Sequence, residues 1–157
     1  LKPLWRRLGF VEQPFHRSVA LDSHVLAGLR GWAERPRLII DESDATFADL
    51  STALNLGYAG TSHKNCKGVF KGIAHRCLLE VRRQTDPGRG FLMSGEDLCN
   101  IGPVALPQDL AVMAALGIES VERNGHHYHA GLSQLPVSVQ EEILRHHGDL
   151  FEASSAG

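Results

Sequence analysis

The chain has 157 residues, with 16 Lys and Arg against 18 Asp and Glu and a formal net charge of −2. This is about one domain's length, and the near-neutral balance without a basic stripe argues against a nucleic-acid binder. No apolar run approaches the roughly 20 residues that span a bilayer, and no signal peptide opens the chain, so no membrane partner is expected.

In chain order, the opening Leu1 to Phe10 reads as the end of a helix running into a strand, as in a piece of a longer protein. Leu8-Gly9-Phe10-Val11 is a buried strand ending at Glu12-Gln13-Pro14, because Pro14 has no N–H for a sheet ladder. Leu21, Val25, Leu26 and Leu29 recur near helical spacing, with Asp22 or Ser23 as cap. Pro36 precedes the apolar run Leu38-Ile39-Ile40. Asp44 or Thr46 then caps a helix whose Phe47, Leu50 and Leu54 share a face, and Gly57 ends it. A strand from about Tyr58 to His63 leads to a helix from Cys66 to about Gln84, carrying Val69, Phe70, Ile73, Cys77 and Val81. The turn Asp86-Pro87-Gly88 precedes Phe91-Leu92-Met93. A helix over Leu106 to Leu116, a strand starting at Glu119-Ser120-Val121 and a helix over Val139 to His147 complete the pattern. Residues 1–151 thus read as one domain, and 152–157 as a small, polar, disordered tail.

Three cysteines, Cys66, Cys77 and Cys99, form no Cys-x-x-Cys pair. That argues against a disulfide framework or zinc ribbon and for a reducing cytoplasm. Cys66 and Cys77 are expected to pack in their helix as small apolar residues.

Five strand-helix units in alternation imply an α/β fold with a parallel sheet and right-handed crossovers. Periodicity does not separate an open doubly wound sheet from part of a closed barrel. In either, the strand C-termini share one face, where sites are built. Polar residues crowd those positions: Glu12; Asp41-Glu42-Ser43; Lys64; Ser94-Gly95-Glu96-Asp97; and Glu122 through His127. Carboxylates, a lysine and histidines far apart in sequence should therefore converge.

Phe10-Val11-Glu12-Gln13-Pro14 followed by Ile40-Asp41-Glu42-Ser43 resembles the paired motifs of the enolase superfamily, in its muconate lactonizing and mandelate racemase branch. The resemblance covers nearly the whole chain. It implies the C-terminal part, about strands four to eight, of a (β/α)₈ TIM-type barrel. It further implies that Glu12 and Asp41 ligate one Mg²⁺, and that Lys64, 23 residues after Asp41, is the catalytic base, with Lys67 its rival. Glu96, Asn124 and His126 are then candidates for contact with a small carboxylate substrate. The chemistry would be removal of a proton alpha to that carboxylate, in a racemase, epimerase, cycloisomerase or dehydratase. Such a proton is weakly acidic because its loss yields a doubly charged enediolate, which a hard cation offsets; a lysine or histidine base with Mg²⁺ is the superfamily's general pattern.

The family's third carboxylate ligand, on the third strand, and its Lys-x-Lys motif, on the second, would precede Leu1. The chain alone is therefore expected to lack turnover and to expose open sheet edges that invite aggregation or dimerisation. Ile39, Leu92 and Val121 would lose their partners across the barrel. The intact form is expected to be a homo-oligomer.

Other readings stand beside this one. Asp41 could cap the following helix, Glu42 could replace it as ligand, and Lys64 could be a solvated loop lysine. The chain could be a non-catalytic fragment or degenerate paralogue. The cluster His126, His127 and His129 raises a zinc hydrolase, since imidazole suits zinc, although only His127 and His129 would share a strand face.

Overall fold

A computed structural model describes residues 2–27, 32 and 34–154 of the chain. Helix α1 (Lys2–Trp5) precedes β1 (Val11–Glu12), and α2 (Ser23–Ala27) precedes β2 (Leu38–Ile40). The alternation continues through α3 (Asp49–Leu56), β3 (Gly60–His63), α4 (Val69–Thr85), β4 (Leu92–Glu96), α5 (Ala105–Ala115) and β5 (Val121–Glu122). Two further helices, α6 (Gly125–Tyr128) and α7 (Val137–His146), follow. The expected Leu29 lies outside the described residues, as do 155–157 of the expected tail; residues 152–154 hold no helix or strand.

The five strands form one sheet in the order β1-β2-β3-β4-β5, with every neighbouring pair parallel. The sheet curls like half of a barrel, and one side-chain contact shows the curl directly. Ser94 on β4 donates to Glu12 Oε2 on β1 at 3.3 Å. Three inter-strand steps in a flat sheet would put those strands about 14 Å apart. β3 and β4 also pack closely: a methyl group at Gly60 would run into the Leu92 carbonyl.

Side chains alternate between the two faces of a strand. Leu38 and Ile40 point out towards Ala53 and Tyr58, and Met93 points out into a cluster with Leu50, Leu54, Leu79 and Met113. These apolar contacts hold α3, α4 and α5 on the convex side. Val121 also packs against that cluster, so it faces the helices and not the interior expected of it. The concave face then carries Glu12, Ile39, Ser62, Ser94 and Glu96, as the strand register requires. Tyr58, fully enclosed, donates to the Ala20 carbonyl at 2.7 Å, and burial pushes its hydroxyl up to about 12.

Several expectations shift. β1 begins at Val11, two residues long, so Glu12 belongs to the strand and does not follow it. β4 runs on to Glu96, which puts Ser94 and Glu96 in the sheet. Gly57 ends α3 in the left-handed conformation, as expected. Phe47, however, precedes that helix and is exposed. Neither Asp44 nor Thr46 caps it; Asp49 instead accepts the N–H groups of Ala45 and Thr46.

Helix α4 departs most. It starts at Val69, with Cys66 in a preceding 3₁₀ turn. Its apolar side, Val69, Phe70, Ile73 and Val81, faces solvent, and Cys66 and Cys77 are exposed rather than packed. The inward side is Lys71, Gly72, His75 and Leu79. The reason is steric and electrostatic: the His63 ring occupies the space a side chain at Gly72 would need, and Lys71 and His75 reach inward to Asp44. Among the described residues, no helix is long and apolar enough to cross a membrane.

Candidate functional site

The C-terminal ends of the strands open into a cavity of about 730 Å³ lined by Glu12, Gln13, Asp41, Lys64, Ser94 and Glu96, among others. Period two explains the convergence. Glu12 pairs with Ile39, so Asp41, two residues on, shares its concave face. Ser62 pairs with Ser94, so Lys64 and Glu96 lie one step further on that same face. Glu12, Asp41 and Glu96 each offer an oxygen within 4.8 Å of the others'. They are the one such group of three metal-ligating side chains among the described residues. Glu96 therefore joins the two expected ligands, although it was expected only near substrate.

Lys64 sits between these carboxylates, 2.9 Å from Asp41 Oδ2 and 2.5 Å from Glu96 Oε2. Lys67 approaches Asp41 from the other side, donating to Oδ1 at 2.7 Å, to the Asp41 carbonyl at 2.7 Å and to the Ser62 carbonyl at 3.0 Å. Three N–H donors thus meet three acceptors, and Lys67 does not line the cavity, whereas Lys64 does. Glu42 lines the cavity but is exposed and stands outside the carboxylate group.

The protonation balance follows from this packing. Burial, followed by the Asp41 charge, raises the Glu12 carboxyl above its ordinary value, against the lowering effects of Ser62, Lys64 and Ser94. For Asp41, burial would raise the carboxyl, but Lys67 and Lys64 outweigh it and hold the group low. Burial would likewise lower the Lys64 ammonium, yet Glu96 and Asp41 more than compensate and raise it. Three carboxylates against two ammonium groups leave one net negative charge, which suits a cation.

Gln13, which the Glu-Gln-Pro motif contains but sequence gave no role, straps β1 to the turn after β2. Its carbonyl oxygen accepts from the Asp41 and Ser43 N–H groups, and its amide donates to Ser43 Oγ and the Phe15 carbonyl. It does so at a φ of +39°, an uncommon region for a residue other than glycine. Asn124 reaches the acids, donating to Glu122 at 3.0 Å and to Glu96 at 3.5 Å. His126 does not line this cavity; it lines a second one. The three histidines lie on and just after α6, not on a strand, because β5 stops at Glu122. They form no group able to share an ion.

Behind the cavity, Asp44 is buried and accepts from Thr61 Oγ1 at 2.8 Å and Lys71 at 3.3 Å, with His75 Nδ1 at 3.4 Å. Sequence reasoning missed this network, since its only signal was a polar residue within a helical apolar pattern. Burial would raise the Asp44 carboxyl, but His75, Thr61 and Lys71 hold it below 3.8. A carboxyl whose folded pKa is depressed adds stability above its unfolded value and loses it as pH falls through the folded one. Asp44→Asn is therefore expected to cost about 1–3 kcal/mol at neutral pH and to flatten the acid limb of the stability curve. Urea melts between about pH 6 and pH 2 would check this; an unchanged acid limb would show that the network does not stabilise the fold.

Comparisons of the chain with family models, with curated proteins and with solved structures gave no match in any of the three.

Proposed function

We propose that this chain is part of a (β/α)₈-barrel enzyme of the enolase superfamily, using Mg²⁺ to help remove a proton alpha to a carboxylate. The carrying observation is the convergence of Glu12, Asp41 and Glu96 around Lys64 at the C-terminal ends of adjacent parallel strands. A strand order that never reverses supports a barrel over a doubly wound sheet, whose ligand site marks a reversal.

The donor set fits Mg²⁺, which prefers hard oxygens at about 2.0–2.1 Å. Among three oxygens of such a shell at most one pair is opposite, about 4.2 Å apart, and the other pairs are adjacent, about 2.9 Å apart. Oxygens within 4.8 Å would therefore have to draw together, with Lys64 leaving its place beside Asp41 and Glu96. Glu12 and Asp41 would hold the ion, with Glu96 a further oxygen beside them. Bound there, Mg²⁺ would offset the charge that develops on the substrate carboxylate.

The remaining work falls to the chain's own side chains. Lys64 would accept the alpha proton at Nζ, since it alone of the two lysines faces the cavity. Its ammonium must first part from Asp41 and Glu96 and give up a proton to solvent, since only the neutral amine accepts one. Both changes become easier when the charge of those carboxylates is offset. Lys67 and Gln13 would hold the Asp41 turn in place, and Asn124 would orient Glu96.

The test, made on the intact barrel protein, is exchange of the alpha proton with deuterated solvent, over a set of amino-acid derivatives and sugar acids with Mg²⁺. Lys64→Ala is expected to abolish exchange without weakening Mg²⁺ binding, because lysine is the base and not a ligand. Exchange that survives Lys64→Ala would remove Lys64 from the role. An intact barrel protein that neither binds Mg²⁺ nor exchanges any of these protons would end the reading.

A further inference from the structure

A second cavity, of about 550 Å³, lies among the loop after β4, the segment after β5 and helix α7. It shares no lining residue with the acidic cavity. Ile101, Leu132, Leu144 and Phe151 give it apolar walls. Its volume is within the roughly 300–1,000 Å³ usual for small-molecule sites.

Its cation stands at the rim, with a side chain 46% exposed. Arg123 lines the cavity and donates through Nε to Asp97 Oδ2 at 2.8 Å. Asp97 is 1% exposed, and its other oxygen accepts the N–H groups of Cys99 at 3.0 Å and Asn124 at 3.3 Å. A carboxylate held by two backbone N–H groups thus holds the guanidinium at Nε. The two terminal nitrogens have no partner among the described residues, although a guanidinium carries five N–H donors in a rigid fork. Such a fork matches a carboxylate, and holding it in advance reduces the entropy lost on binding. His126 and His129 add ring nitrogens to the lining, and Glu152, the one acidic residue of the lining, is exposed.

We propose that this cavity binds a small carboxylic acid with an apolar body, an alkyl or aryl acid. Arg123 takes the carboxylate, and Leu132, Leu144 and Phe151 enclose the body. Asp97 acts on the ligand only through Arg123, as a positioning residue. The site does not depend on the metal reading.

The probes are 4-phenylbutyrate and its neutral amide, 4-phenylbutyramide, titrated into the full chain by calorimetry. The acid is expected to bind saturably, and the amide at least about tenfold more weakly. Arg123→Gln should bring the acid down to the amide's affinity, Leu132→Trp should weaken both by filling the cavity, and Asp41→Asn should change neither. Equal affinity of acid and amide, indifference to Leu132→Trp, or no binding at millimolar concentration would each overturn the proposal. If Arg123→Gln fails to fold because Asp97 loses its partner, the comparison of acid with amide and the Leu132→Trp variant decide it. Loss of acid binding in Asp41→Asn would place the ligand in the acidic cavity and would likewise overturn it.

Discussion

Replacing Lys64 by Met is expected to cost about 3 kcal/mol of stability at neutral pH without divalent cations, and Mg²⁺ or mild acid should restore much of it. Removing one partner of a buried ion pair typically costs about 3–5 kcal/mol, because the other charge stays buried and uncompensated. Here Glu12, Asp41 and Glu96 would face one another with only Lys67 to offset them. The lower end of that range applies because the cavity admits water. The pH direction follows from Glu12, whose carboxyl already titrates above its ordinary 4.5 and would rise further without Lys64. A carboxyl whose folded pKa is raised binds protons more tightly when folded, so stability climbs as pH falls through that value towards 4.5. Denaturant melts at two pH values, with and without Mg²⁺, would check this. A variant as stable as the parent at neutral pH, or one that Mg²⁺ leaves unchanged, would remove the electrostatic account of the cluster.

Asp41→Asn is expected to weaken binding of Mg²⁺, or of Mn²⁺ as a paramagnetic stand-in, by at least about 100-fold. Loss of groups that merely orient ligands costs about 10–100-fold in metal affinity, and a direct charged ligand should exceed that. The change would also strip Lys64 and Lys67 of their shared counter-charge, leaving two ammonium groups beside the site to repel a cation. Electron paramagnetic resonance of added Mn²⁺ measures free ion directly. Undiminished affinity would mean that the cation, if one binds, sits elsewhere.

Much of this arrangement was legible in the amino-acid order. Alternating short apolar runs and longer amphipathic stretches specified a parallel α/β sheet. Polar residues at each strand end marked Glu12, Asp41 and Lys64, because a side-chain period of two and parallel strands force such positions onto one rim. The Gly57 stop was legible for a local reason, since a left-handed residue after a helix is a property of a few consecutive positions.

Only the tertiary structure placed Glu96 beside Glu12 and Asp41, since that depends on β4 running further than its apolar residues suggest and on the curl of the sheet. It also separated His126 from Asn124, sending one to the second cavity and the other to the acids. Helix α4 makes the division plainest. Its periodicity described an apolar face correctly, but Lys71 reaches Asp44 across 27 positions of chain, and that buried pairing turned the polar side inward. Periodicity fixes which side chains share a face; the partner that covers a face is a long-range property, set by the register of the strands and the charges they bring together.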